Sequence, residues 1–294
     1  MSLRRNRDNR HIRELTREVR LHVEQFIQPL FAVEGLRERE AVPGLVDVYR
    51  DTSETLLQQI EADLAQGISK FLLFGVPARK QDRDFSHAAT SDIIATVRRR
   101  FGSDIWLAVD VCLCSHTTHG HCGILNDNRD HVLNDASVSA LADAALQFAQ
   151  AGADCVAPSD MQDGRVAAIR SALDQAGLER RAIMSYAAKF DSAFYGPFRL
   201  AAESAPGRDL PLRDRASYQI DPARPGDALL CARIHKPWAV YQTSGEQAGI
   251  DLLAEHGLTN PVRAQLESWT AFSRAGASMI ISYAARRARR YLAA

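Results

Sequence analysis

The chain lacks any run approaching the ~20 consecutive apolar residues that a membrane span requires. Its opening, MSLRRNRDNRHIRELTREVR, lacks the apolar segment of a secretory signal. Both absences lead us to expect a soluble, cytoplasmic protein. Net charge is missing too, since 36 Lys plus Arg balance 36 Asp plus Glu. Nothing electrostatic therefore recommends nucleic acid or an anionic membrane as a partner. Cysteine is scarce and odd in number, at five. The spacing of Cys112, Cys114, Cys122, Cys155 and Cys231 does not suggest a disulfide framework. In a reducing compartment such thiols bind metal or react more often than they cross-link.

What is present is an alternation of short apolar runs and amphipathic segments, the pattern of a parallel α/β sheet or barrel. Strand-like runs are FIQPLFAV (26–33), KFLLFGV (70–76), WLAVDVCL (106–113), DCVAP (154–158), AIMSYAA (182–188), WAVYQTSG (238–245) and SMIISYA (278–284). Helical segments separate them: SETLLQQIEADLAQG, SDIIATVRRRFG, SVSALADAALQFAQAG, GRVAAIRSALDQAG and NPVRAQLESWTAFSRAG. Four helix ends read alike (DLAQG, FAQAG, LDQAG, FSRAG), each a glycine stop followed by a buried run. That recurrence predicts repeated βα units in a TIM-type α/β barrel, with an open doubly wound sheet as the second choice. The strand count is seven, whereas a standard barrel has eight. The stretch 189–237 is rich in turn formers and offers only a short helical piece, DALLCARI. Either one strand is unusual or a βα unit is absent. Residues 1–25 read as an N-terminal arm and 26–294 as one barrel domain. The arm, with seven arginines against three acids in residues 1–20, is a solvated tail or wraps a neighbouring subunit.

The densest chemistry lies in DVCLCSHTTHGHCG (110–123), which holds three cysteines and three histidines in fourteen residues. Side chains two apart on a strand share a face, so Asp110, Cys112 and Cys114 align at the C-terminal end of the third run, where parallel barrels carry their sites. Cys122 follows after enough chain to fold back. Three thiolates suit zinc, which takes four ligands. An open fourth position marks a catalytic centre, while closure by His116, His119 or His121 would make it structural. Buried free thiols are the plain alternative, and each histidine alone reads better as a supporting or loop residue than as a ligand.

Other candidates sit at other strand ends. Lys189, in phase with Ser185 and Ala187, is a solvated lysine or a desolvated amine whose pKa falls toward neutrality and which attacks a ketone to form a Schiff base. Arg199, Arg208, Arg213 and Arg215, with Tyr195, Tyr218 and Gln219, read as an exposed loop or as a lid (189–225) clamping a substrate carboxylate. APSDMQDGR (157–165) brings Ser159, Asp160 and Asp163 near the same mouth, and YQTSGE and ISYA add Ser244 and Tyr283.

Taken together, DVCLCSHTTHGHCG, VAPSDMQDGR, IMSYAAKFDSAFYGPFR, SYQIDP, YQTSGE, PLFAVEG and VPG resemble the porphobilinogen synthase family, also called δ-aminolevulinic acid dehydratase. The resemblance covers nearly the whole chain. It implies a (β/α)8 barrel whose N-terminal arm mediates homo-oligomer assembly, as an octamer or a dimer. The activity it implies is condensation of two 5-aminolevulinate molecules into porphobilinogen. It assigns Cys112, Cys114 and Cys122 to zinc beside the A-site substrate, Lys189 to the A-site Schiff base, and Asp110 to an acidic group of the site. Arg199, Arg215 and Gln219 match the lid around that substrate. Ser244 and Tyr283 match the groups that hold the carboxylate of the other, P-site substrate.

One departure is large. The family carries a further strand close to VMVKPA, whose lysine forms the P-site Schiff base, and here ALLCARIHKPWAVYQTSGE passes almost directly to the next strand. Lys236 echoes the motif but falls at the start of that next strand, at the wrong end of the barrel. Smaller departures are His116 in place of a tyrosine, DMQDGR for DMMDGR, and an altered KQDRDFSHAAT loop. We therefore expect little or no ordinary porphobilinogen synthesis. Three readings follow: the family's own reaction, a different Schiff-base condensation, dehydration or cyclisation at the Lys189 half-site, or a non-catalytic homologue that binds metal, ligand or a true synthase subunit.

Overall fold

The computed structural model describes residues 3–207, 209–224, 226 and 236–293. The segment 1–25 contributes a 3-10 turn, Leu3–Arg7, and the short helix α1 (Arg10–Leu15), none of whose residues is buried. Leu21 and Val23, just before the barrel, pack against its outer core.

The first two apolar runs form strands at their predicted bounds, β1 (Phe26–Val33) and β4 (Lys70–Val76). Between them lie two short strands the periodicity does not show, β2 (Glu40–Ala41) and β3 (Tyr49–Asp51). The remaining runs are shorter than predicted: β5 (Trp106–Val111), β6 (Cys155–Pro158), β7 (Ala182–Ile183), β8 (Ala239–Tyr241) and β9 (Met279–Ile281). Parallel ladders run in the order β7-β6-β5-β4-β1-β9-β8, with β3 beside the end of β1 and β2 antiparallel to β3.

Side chains alternate across this wall as period-2 geometry demands. Phe71, Leu73, Leu107, Val109 and Val156 face outward into the core beneath the helices. Ile27, Phe31, Leu72, Phe74, Ala108 and Ala157 face the lumen. The outer layer is built by α2 (Ser53–Ala65), α3 (Ala88–Phe101), α4 (Asn134–Gln150), α5 (Arg165–Gln175), α7 (Ser244–Glu255), α8 (Pro261–Arg274) and α9 (Ala288–Leu292), while the short α6 (Gly196–Ala201) packs on the lumen residues through Phe198 and Ala201. The four repeated glycine stops, Gly67, Gly152, Gly177 and Gly276, take φ of 84°, 115°, 73° and 102°. That left-handed region is strained for any residue with a Cβ, which is why glycine ends these helices. Helix α7 was not among the predicted helices, although Thr243 and Glu246 close a capping box at its start.

The wall is parallel throughout, as a TIM-type barrel requires, and is interrupted at one place. Among the described residues no ladder joins β7 to β8. Strand β7 was expected to reach residue 188. Its ladder stops at Ile183, although Met184 N and Tyr186 N still donate to Val156 O and Pro158 O, at 2.9 and 3.0 Å. Pairing thus continues on the β6 side beyond the regular ladder. The DALLCARI piece (227–234), with Cys231, lies outside the described residues. On the far side of the break, β8 and β9 are tied to α8 through Gln242, whose Oε1 accepts from Gln265 Nε2 and Ser282 Oγ, both at 2.8 Å. Trp269 Nε1 donates to the same serine at 3.2 Å. Among the described residues no helix is long and apolar enough to cross a membrane.

Candidate active site

The C-terminal ends of the strands gather most of the predicted residues. Alternation along β5 turns Asp110 toward the lumen, and the chain then bends so that Cys112, Cys114 and Cys122 converge. All three sulfurs lie within 4.8 Å of one another, and the side chains are 6 %, 4 % and 0 % exposed. Cys112 Sγ and Cys114 Sγ are 3.3 Å apart. Thiols this close share protons. Hydrogen bonds from Cys112 and Cys114 hold Cys122 well below the ordinary thiol range, against the cost of burial and with help from the charges of Arg215 and Lys189. Cys114 is pushed up to about 11.

This donor set fits a thiophilic cation: three buried sulfurs, one already inclined to the thiolate form, face one another with no disulfide between them. The histidines serve elsewhere. His121 Nδ1 pairs with the Tyr218 hydroxyl and its Nε2 with Leu212 O, both at 3.0 Å. His116 Nε2 lies 3.3 Å from His87 Nδ1. His119 Nδ1 accepts from His121 N at 3.1 Å. Among the described residues none joins the cysteine group. The Tyr218 hydroxyl also accepts from Cys122 N at 3.3 Å, so it orients both the cysteine loop and His121.

Lys189 reaches back across β6, its Nζ donating to Ser159 O at 2.8 Å and standing 5.7 Å from the ring centroid of Tyr186. The expected fall of its pKa does not occur in this structure. Burial does pull the amine down, but the negative charge of Cys122 and then Cys112 outweighs it, and the pKa is raised. Asp110 goes the other way from a surface carboxyl. Burial, set against the charge of Lys189, lifts it to about 7.

The lid is partly as expected. Arg215 is 1 % exposed and its Nη2 donates to Gly120 O at 2.8 Å and Ser204 O at 2.6 Å, stapling the lid to the cysteine loop. Arg199 lies 6.0 Å from the Tyr195 ring centroid, and Gln219 is buried. Arg213 and Asp163 are exposed and stay outside the cluster. Arg208 falls outside the described residues. Asp160 is buried but directed at Arg165, with Nε 3.5 Å away, and its Oδ1 accepts from Gln162 N. Ser244 and Tyr283 are both 1 % exposed at the same mouth, Tyr283 accepting from the Tyr241 hydroxyl at 3.0 Å and Tyr241 lying 6.1 Å from the Tyr186 ring centroid. Sequence reasoning missed Tyr186 and Tyr241. Their position at strand ends was the available signal, within SYAAKF and YQTSGE.

The polar atoms left enclosed without a partner include Asp110 Oδ1, Tyr186 OH, Arg199 Nε and both amide atoms of Gln219. Buried groups of this kind are costly unless something supplies the missing hydrogen bonds. A cavity of about 600 Å³ lies at the other end of the barrel, beside Lys70, Trp106 and Arg181 at the strand starts, and none of these candidates lines it.

The sequence model of the delta-aminolevulinic acid dehydratase family matches residues 1–235 and again 228–291. The chain belongs to this family. The dehydratase of Bacillus subtilis is 37% identical over 322 aligned residues, covering 99% of this chain and 97% of its own. That of Helicobacter pylori is 39% identical, covering 97% and 96%. The solved structure of the dehydratase from Toxoplasma gondii, in complex with the reaction product porphobilinogen, superposes with a TM-score of 0.91 at 30% identity, covering 99% of this chain and 91% of that one.

Membership sharpens the meaning of the break. An alignment 322 positions long over a chain of 294 residues contains at least 28 positions where this chain has nothing. The family model resumes at 228, in the segment between β7 and β8. The chain's lysines are four: Lys70, Lys80, Lys189 and Lys236. Lys70 starts β4 at the opposite end of the barrel. Lys80 is held by Ser115 O at 2.8 Å and Glu203 O at 3.1 Å. Lys236 is exposed, just before β8 begins. Lys189 stands within the electrostatic reach of all three thiols.

Proposed function

We propose that this porphobilinogen synthase-like chain is a zinc-dependent lyase that takes 5-aminolevulinate or a related amino ketone or keto acid as a Schiff base on Lys189. The observation that carries the reading is the convergence of the three-thiol cluster and a buried lysine at the mouth of a barrel of this family. When bound by the three thiolates, a zinc ion would polarise a ligand oxygen and cancel the sulfur charge that holds Lys189 protonated.

The remaining roles belong to the chain. Arg199 and Gln219 offer unpaired polar atoms to a ligand carboxylate, and Arg215 keeps the lid on the cysteine loop. The Lys189 nitrogen attacks the ketone carbon. Asp110 carries a proton to or from the reacting carbons, a task its position near neutrality suits. Ordinary porphobilinogen synthesis is slow or absent, since none of the four lysines supplies the second imine. Assembly into a homo-oligomer through residues 1–25 belongs to the same proposal, as does a cytoplasmic setting for an enzyme of this class.

Borohydride reduction of the zinc-loaded protein with 5-aminolevulinate, read by mass spectrometry, tests the reading. We expect an adduct on Lys189 and little pyrrole. Absence of any adduct with amino ketones would return the chain to the status of a binding homologue. Pyrrole production at the rate of ordinary family members would show that one lysine suffices.

A further inference from the structure

Two of the chain's departures from the family pattern meet in space. His116 stands on the cysteine loop, and the stretch KQDRDFSHAAT (80–90) carries His87. His116 Nε2 and His87 Nδ1 face each other at 3.3 Å, with ring centroids 4.9 Å apart. The pair is enclosed, His87 being 4 % exposed and His116 6 %. Phe148 lies edge-on to His87 at 5.6 Å, and Phe85 edge-on to His116 at 6.3 Å. Burial keeps both rings neutral, pushing His87 down to about 4 and His116 to about 3. A neutral imidazole has one donor and one acceptor, so one facing nitrogen donates and the other accepts.

His87 sits at the N-terminus of α3, yet its side chain makes no capping bond there. The ring is turned to the cysteine loop instead, and its neighbours turn with it. Lys80 Nζ donates to Ser115 O at 2.8 Å and Gln81 N to His116 O at 2.7 Å. Asp82 Oδ1 accepts from Thr118 N at 3.0 Å and from Thr118 Oγ1 at 2.7 Å. Residues 80–87 thus grip residues 115–118 almost position by position. On its other side His116 faces the Cys112 backbone and lines a small cavity with Asp110, Cys112 and Cys114. The histidine pair carries the grip of the 80–87 loop to the place where the sulfurs converge.

We propose that His87 and His116 are positioning residues for the thiol centre: through this pair the 80–87 loop sets the direction in which Cys112 and Cys114 present their sulfurs to a cation. The inference rests on the zinc reading above. Among the described residues neither histidine belongs to the converging donor atoms, so the pair works from behind the sulfurs.

The test uses the full chain, with zinc affinity measured against a chromophoric chelator and the cobalt(II)-substituted centre read by visible absorption. His87→Phe keeps a ring and removes the hydrogen bond. Its zinc affinity is expected to fall roughly tenfold, the low end for an outer-shell partner, and its cobalt bands to shift. His87→Asn places an amide where Nδ1 stood and is expected to restore both. In a His116→Tyr background, adding His87→Phe is expected to change nothing further, because the partner is already gone. Native affinity and bands in His87→Phe would overturn the inference while leaving the zinc reading standing. Equal losses from His87→Phe with and without His116→Tyr, or no recovery in His87→Asn, would do the same. If His87→Phe does not fold, His116→Tyr alone carries the test, with shifted cobalt bands expected and native bands overturning it. A native chain that takes up neither zinc nor cobalt would overturn the zinc reading and this inference together.

Discussion

The two sides of the barrel mouth are lined by groups of similar chemistry, hydroxyls and amides at strand ends, and they differ in what those groups touch. Around Ser244 the hydroxyls of Ser244 and Tyr283 are hydrogen-bonded within the chain, and the Phe198 ring lies against Phe74. On the Lys189 side a carboxylate, an amide, a hydroxyl and a guanidinium nitrogen are enclosed and unmatched. Satisfying a buried polar group internally removes its reason to bind anything, because an incoming ligand must first break what exists. Leaving it unsatisfied stores the opposite tendency.

The most severe way to break this contrast is to remove its central group. Lys189→Ala is expected to abolish the borohydride-trapped adduct and to cost several orders of magnitude in any turnover, as loss of a covalent nucleophile does. An adduct persisting in that variant would place the chemistry elsewhere. Next in size is the support of the thiols. Tyr218→Phe deletes the hydroxyl that meets Cys122 N and His121 Nδ1, and a loss of roughly 10–100-fold in zinc affinity is expected from an outer-shell group of this kind. Competition with a chromophoric chelator measures it, and unchanged affinity would separate Tyr218 from the metal.

A smaller effect follows from Asp110, whose carboxyl titrates near 7 because burial penalises its charge. Below that pH the group is protonated and cannot accept a proton, so a step that uses it as a base slows by roughly tenfold per pH unit on the acid side. Asp110→Asn is expected to lower the rate and flatten this limb, and a limb that survives the substitution belongs to another group. The least effect is expected on the closed side. Ser244→Ala removes one hydroxyl with two internal partners and is expected to cost about 1 kcal/mol of stability in denaturant unfolding. If it instead weakened ligand binding without altering stability, the closed side would be open after all.

Much of the architecture was legible because it is local. Short apolar runs and glycine stops mark β1, β4 and the four helix ends, each from a dozen residues or fewer of sequence. The CxC spacing followed by Cys122 marked the thiol cluster, since strand phase aligns two of the three sulfurs. Helix α7 escaped, only its first two residues having been read, as the end of the run 238–245, and β7 was drawn too long because apolar residues there continue past the ladder. The family resemblance and the deficit of a βα unit were likewise readable, the first from motifs and the second from counting strands.

What the sequence by itself determined, then, is the kind of fold, the family, the thiol triad and the scarcity of lysine. Only the tertiary structure decided that the three histidines beside the cysteines turn to Tyr218, His87 and the loop backbone, that Lys189 is held charged where burial alone would neutralise it, and that Ser244 is already occupied. The physical reason is the same in each case. Periodicity and capping depend on neighbours along the chain, whereas a hydrogen-bond partner or a local potential depends on atoms brought close from distant positions, such as Phe198 to Ser244 and Lys189 to Cys122.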